Sequence, residues 1–246
     1  MQPNSRSAPI LRASGITRRF GGLVAVSDVT FEVGQREILG LIGPNGAGKS
    51  TIFNLISGFY KLSDGRLEFD GKRVEHLPIW QLARLGLVRT FQHDSLLKDM
   101  TVRDNILVGV SQSIRDQAER ERRIAEMGEI FGLLPFMDEL ARHLPHGHQR
   151  MLSMAIAFSG RPKLLCLDEP LTGFNQTEVN RALETIRHLR DAFGTAILIV
   201  EHNMKAVMSL CERIVVLHHG KLIGGGVPEV VQNDPAIIEA YLGKSE

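Results

Sequence analysis

The 246-residue chain is 43% hydrophobic and nearly neutral, with 29 Lys and Arg against 28 Asp and Glu. Its length allows one large domain or two small ones, either with a real core, and the balance of charge gives no electrostatic reason to expect a nucleic-acid partner. No run of eighteen apolar residues occurs, so no membrane-spanning helix is expected, and Cys166 and Cys211 stand too far apart for a metal-type pair.

Residues 1–8 lack the apolar core of a secretory signal and read as a loose leader. Leu11 to Ile16, Val24 to Val33 and Arg66 to Phe69 read as short strands, punctuated by Gly21-Gly22, Gly34 and Asp70-Gly71. Between the second and third of these lies an apolar run, Ile38 to Ile42, of the buried-strand type. It feeds Gly43-Pro44-Asn45-Gly46-Ala47-Gly48-Lys49-Ser50-Thr51, which fits G-x-x-x-x-G-K-[ST], and Thr51 to Ile56 then reads as the first turns of a helix.

Phosphate binding needs that order. The glycines let consecutive N–H groups curl around phosphate oxygens, and the helix N-terminus adds partial positive charge. Lys49 then reaches the outer phosphates and the Ser50 hydroxyl ligates Mg²⁺. A glycine turn beside an exposed lysine would share the motif, but not its setting between strand and helix.

Gly86 to Phe91 reads as another strand, ending at Gln92. The middle of the chain is helical in pattern. Thr101-Val102-Arg103-Asp104 is a capping signature, and Ser113 to Gly132 carries Ile124, Met127 and Ile130 at helical spacing. The charge run from Arg115 to Arg123 reads as the solvated face of that helix. Strands Leu164 to Leu167, Thr195 to Val200 and Arg213 to Leu217 follow, with helices Thr177 to Phe193 and Met204 to Cys211 among them. Such alternation argues for an α/β fold around a mainly parallel, covered sheet, with Cys166 a buried structural thiol.

The strand Leu164 to Leu167 runs into Asp168-Glu169-Pro170. Carboxylates at a strand's C-terminal end face the crevice where an α/β sheet binds its ligand. Asp168 is placed to hold Mg²⁺, and Glu169 is the candidate general base for an attacking water. The alternative is that the two acids simply end the strand before a turn at Pro170.

The two motifs, their order and the lengths between them resemble the ATP-binding subunit of an ABC transporter, from about Leu11 to Gly243. Gln92 matches the Q-loop, Leu144-Pro145-His146-Gly147-His148-Gln149 the signature, Thr172-Gly173-Phe174-Asn175 the D-loop and Glu201-His202 the switch histidine. Phe20 stands where that family places an adenine-stacking aromatic. The resemblance implies a single ABC domain over residues 9–243, with a P-loop NTPase (RecA-like) core. An N-terminal antiparallel β flank and a helical insertion subdomain at about 94–158 complete it.

The same resemblance implies two subunits paired head to tail around two ATP molecules. Phe20 then stacks on adenine, Lys49 and the Gly46 to Ser50 backbone hold the β and γ phosphates, and Ser50, Asp168 and Gln92 order Mg²⁺. Glu169 polarises the water and His202 contacts the γ-phosphate. Against the family's commonest signature, Leu-Ser-Gly-Gly-Gln, this chain has Pro145, His146 and His148. Gly147 and His148 are left to face the partner subunit's nucleotide, in a contact weakened but not abolished. Asn175 replaces the usual D-loop aspartate.

Phe20 to Val26, Arg89-Thr90-Phe91-Gln92-His93, Glu201-His202-Asn203-Met204 and the tail Asp234 to Gly243 resemble one branch, the ATP-binding subunits of branched-chain (hydrophobic) amino-acid importers. That branch implies two transmembrane permease subunits, a second and different ATP-binding subunit, and an extracytoplasmic solute-binding protein. It places the chain peripherally on the cytoplasmic face of the cell membrane, with a permease helix docked at His93 to Leu97. The competing branches are lipopolysaccharide export and urea or amide import. A soluble ABC-type ATPase is the alternative of another class, but the stretch between Gln92 and Leu144 is too short for a coiled-coil insertion. A small-molecule kinase would leave His202 and the signature-like loop unexplained.

Overall fold

The computed structural model describes residues 8–90 and 96–242. Gln92, His93 and most of the expected leader lie outside the described residues. Strands β1 (Leu11–Phe20) and β2 (Leu23–Val33) form a hairpin, and β3 (Ile38–Ile42) leads into α1 (Lys49–Ile56). Then come β4 (Asp64–Phe69), β5 (Lys72–Arg73), α2 (Ile79–Leu85) and β6 (Leu87–Arg89). Helices α3 (Val102–Ser111), α4 (Gln117–Ile130) and α5 (His146–Phe158) precede β7 (Leu164–Asp168) and α6 (Gln176–Phe193). The described chain closes with β8 (Ala196–Val200), α7 (Met204–Leu210), β9 (Arg213–His218), β10 (Lys221–Gly226), α8 (Pro228–Asn233) and α9 (Pro235–Leu242).

Two sheets result. The first has the order β2-β1-β4-β5 and is antiparallel throughout. The second has the order β10-β9-β3-β8-β7-β6, parallel except where β10 runs against β9. Side chains alternate across the parallel sheet and divide the core in two. Leu165, Leu167, Ile197 and Ile199 pack with α3 to α7 on one face. Leu164, Cys166, Leu198 and Val200 pack with α1 and the antiparallel sheet on the other. Both faces are covered, which is why these strands read as continuous apolar runs. Burial pushes the Cys166 thiol up to about 12, so it stays an inert packing group.

Several boundaries differ from the sequence expectation. β1 continues past Ile16 to Phe20 because its pairing with β2 extends to the Phe20–Leu23 pair at the turn. The helix expected from Ser113 begins at Gln117, where Asp116 caps it by accepting the Glu119 N–H at 2.8 Å. Ser113 and Ile114 instead close the end of α3, both donating to the Val110 carbonyl. β6 is three residues long because its register with β7 runs only from Leu87–Leu164 to Arg89–Cys166. Most of the charge run from Arg115 to Arg123 is exposed, with Ile124 and Met127 buried beside it.

Candidate functional site

Neighbouring strands β3, β8 and β7 end on the same side of the sheet, and their carboxyl ends deliver the loops of one cleft. The cavity measures about 430 Å³ and is walled by Asn45 to Thr51, Glu169, His202, His219 and Leu23 to Ala25. The loop after β3 turns tightly into α1. Gly48 has φ of 103°, and a Cβ there would lie 2.9 Å from the Ala25 carbonyl oxygen, so only glycine fits. The first N–H groups of α1 lack intrahelical acceptors, and the residues that carry them, Lys49 to Thr51, line the cleft, as an anion site requires. The loop is braced from β9–β10, where the Gly220 N–H donates to the Ala47 carbonyl at 2.9 Å.

Lys49 is buried, and its Nζ donates to the carbonyls of Gly43 at 2.7 Å and Pro44 at 3.0 Å. Burial lowers the amine's pKa from its ordinary value, and the nearby Glu169 and Asp168 carboxylates oppose that shift. Ser50 is exposed to the cleft.

Glu169 sits just beyond β7 with φ of 49°, in the left-handed region that non-glycine residues rarely adopt. Its N–H donates to the Val200 carbonyl at 2.9 Å, which ties the end of β7 to the end of β8. Its Oε1 lies 2.8 Å from His202 Nε2. A general-base candidate and an imidazole from adjacent strand ends therefore meet at the cleft, in a conformation of the strained kind that collects at functional sites.

Asp168 does not line the cleft surface. It is buried, and its Oδ2 accepts from the Arg89 guanidinium at 2.7 Å. Arg89 also donates to Asn54 Oδ1 at 2.6 Å, so β6, β7 and α1 share one polar knot. Mg²⁺ keeps most of its waters and takes only one or two protein ligands beside substrate phosphates. The cleft-facing Ser50 hydroxyl suits that demand directly, and Asp168, off the cleft wall and paired with Arg89, would act through the ion's water shell. Among the described residues no cluster of three or more His, Cys, Asp or Glu could hold a metal alone.

Phe20 is not on the cleft wall. Its ring packs edge-on against Tyr60 at 5.2 Å, with the Arg18 guanidinium 4.5 Å above it. Leu144 to Gln149 is not one loop, because α5 starts at His146. Gly147 is buried against Glu178, whose Oε1 would sit 2.4 Å from any added Cβ. His148 is partly buried. One residue further along a helix turns a side chain by about 100°, and the ring lies edge-on to Phe136 at 4.6 Å. Pro145 and His146 are exposed, and His146 lies against Gly173. Asn175 caps α6, accepting from the Thr177 and Glu178 N–H groups while Glu178 accepts from its own N–H. An aspartate would cap the helix in the same way.

Three contributors escaped the sequence reading. Arg89 pairs with Asp168, Glu201 is buried beside His202, and His219 joins the cleft wall. The available signals were a cation ending one short strand and an acid directly after a buried one.

The family model described as ABC transporter matches residues 26–172. The chain is 42% identical to the high-affinity branched-chain amino acid transport ATP-binding protein LivG of Salmonella typhimurium, covering 97% of this chain and 100% of that one. It is 33% identical to the lipopolysaccharide export system ATP-binding protein LptB of Haemophilus influenzae, over 96% of this chain and 98% of that one. Among solved structures it is similar to the ADP conformation of an ATP-binding cassette of an ABC transporter. That likeness has a TM-score of 0.86 and 29% identity, covering 97% of this chain and 100% of that one.

Proposed function

Because this chain belongs to the ABC transporter family, as an ATP-binding and ATP-hydrolysing subunit, we propose that it powers an importer of branched-chain or other hydrophobic amino acids. The observation that carries the reading is the cleft itself, where Asn45 to Thr51, Glu169 and His202 converge and the last two touch at 2.8 Å. The higher identity to LivG than to LptB supports import over lipopolysaccharide export.

In this reading the N–H groups of the β3–α1 loop and Lys49 hold the β and γ phosphates of ATP. Glu169 takes the proton of the attacking water, and His202 steadies both Glu169 and the terminal phosphate. Mg²⁺, held through Ser50, Asp168 and Gln92, would supply charge neutralisation at the phosphates. Phosphoryl transfer asks for little covalent work, so positioning and charge stabilisation carry the rate. The opening turn of α5, with His146 outward, faces the nucleotide of a second ATP-binding subunit. Two transmembrane permeases hold the pair on the cytoplasmic face of the cell membrane, and an extracytoplasmic binding protein selects the solute. Among the described residues no helix is long and apolar enough to cross a membrane, which suits a peripheral subunit.

Affinity capture of the tagged chain from detergent-solubilised native membranes tests this. The expected companions are two multi-span permeases and a second, different ATP-binding subunit. Recovery of lipopolysaccharide-export membrane subunits would move the chain to that branch, and recovery of soluble partners alone would sink the transport reading.

We assign adenine stacking to Phe20, which is 37% exposed and pairs across the β1–β2 turn with the cleft residue Leu23. Phe20→Ala is expected to weaken ATP binding by roughly five- to a hundredfold, the usual value of base–aromatic stacking, with the saturated rate unchanged. Titration of the purified variant checks it, and an unaltered affinity would give the role to Leu23 or Val24.

A further inference from the structure

Glu201 is only 4% exposed and precedes His202 in the loop after β8. Its Oε1 accepts the Leu171 N–H at 2.7 Å, two residues beyond Glu169. Its Oε2 accepts the His202 N–H at 3.1 Å and, more loosely, the Asn203 N–H at 3.5 Å. One carboxylate thus staples the loop after β7 to the loop after β8. Burial raises its pKa above the ordinary carboxyl value, opposed by the three backbone donors. An isolated buried acid would be costly; this one is satisfied on both oxygens.

The Glu169–His202 contact cannot hold the loops by itself. The two side chains are 20% and 47% exposed, and a partly exposed pair contributes little against the entropy of fixing it; the bond from the Glu169 N–H to the Val200 carbonyl holds the strand ends but not the residues beyond them. Buried carboxylate-to-N–H bonds are the strong, directional class. We propose that Glu201 is a positioning residue, which fixes the Glu169 carboxylate and the His202 imidazole relative to each other by clamping the backbones that carry them. This rests on the roles given above to Glu169 and His202. Glu201 touches neither nucleotide nor water in this scheme, and its effect on rate passes through the other two.

The test uses the assembly captured through the tagged chain, carrying Glu201→Gln or Glu201→Asp, each alone and combined with His202→Ala. Gln keeps the shape but turns one acceptor into a donor facing an N–H group. The expected result is a kcat lower by on the order of ten- to a hundredfold, the cost of a misplacement near 1 Å, with ATP affinity within about twofold. In the His202→Ala background the further loss should shrink to less than about threefold, because coupled residues are non-additive. Asp keeps the charge one methylene short and should fall between wild type and Gln; it also carries the test if the Gln variant fails to fold. Near wild-type kcat in both variants, or full additivity with His202→Ala, would overturn the proposal. Glu169→Gln is assayed alongside. If it turns over normally, the assignment of Glu169 fails; if it is dead while Glu201→Gln is active, only the present inference fails.

Discussion

Glu169→Gln is expected to lose turnover by about a hundred- to ten-thousandfold, the range for removing a general base, while ATP affinity stays near wild type. The substitution is close to isosteric. A Gln oxygen can still accept from His202 Nε2 at the 2.8 Å position of Glu169 Oε1, and the backbone bond from residue 169 to Val200 is untouched. Only basicity is lost. In a head-to-tail pair, bound ATP should then accumulate and trap the closed dimer. Single-turnover hydrolysis and size-exclusion chromatography with ATP measure the two effects. Hydrolysis at close to the wild-type rate would remove Glu169 as the base.

Arg89→Met is expected to act on stability before it acts on rate. The Arg89 and Asp168 side chains are 9% and 3% exposed, and removing one partner of a buried pair strands the other charge. Such losses run to about 3–5 kcal/mol, or a melting temperature lower by roughly 6–20 °C for a chain of this size. The double variant Arg89→Met, Asp168→Asn should recover part of that loss, because both groups are then neutral. Differential scanning calorimetry reads both. A melting temperature within about 2 °C of wild type in the single variant would mean that the pair is not holding β6 to β7.

The parts of this molecule that could be read in advance are those whose chemistry is contiguous. Phosphate binding packs glycines, a lysine and a hydroxyl into Gly43 to Thr51, and strand burial on both faces turns Ile38 to Ile42 and Leu164 to Leu167 into unbroken apolar runs. The hidden parts depend on register. Arg89 and Asp168 stand 79 residues apart and meet only because β6 and β7 are neighbours in the sheet. Glu201 is only the neighbour of His202 in the chain, and nothing in the chain order brings Leu171 to it. The seven residues of α2 are too few to show a period, and Lys221 to Gly226 ends in three glycines that read as a turn rather than as an edge strand. The surroundings of His148 were hidden for a local reason. Whether a residue in the first turn of α5 faces out or in depends on where the helix starts, and that start at His146 was not fixed by the pattern.

The two bonds from Lys49 to the carbonyls of Gly43 and Pro44 have a thermodynamic consequence. A loop that closes on its own lysine, and is propped from Gly220, is preorganised. In the proposed reading an arriving phosphate would not have to order a wandering segment; it would take over donors already held in place, with Lys49 exchanging its carbonyl partners for charged oxygens. The ordering entropy that flexible sites surrender at each binding event was here surrendered once, during folding. Each transport cycle can therefore take up and release nucleotide without remaking the cradle.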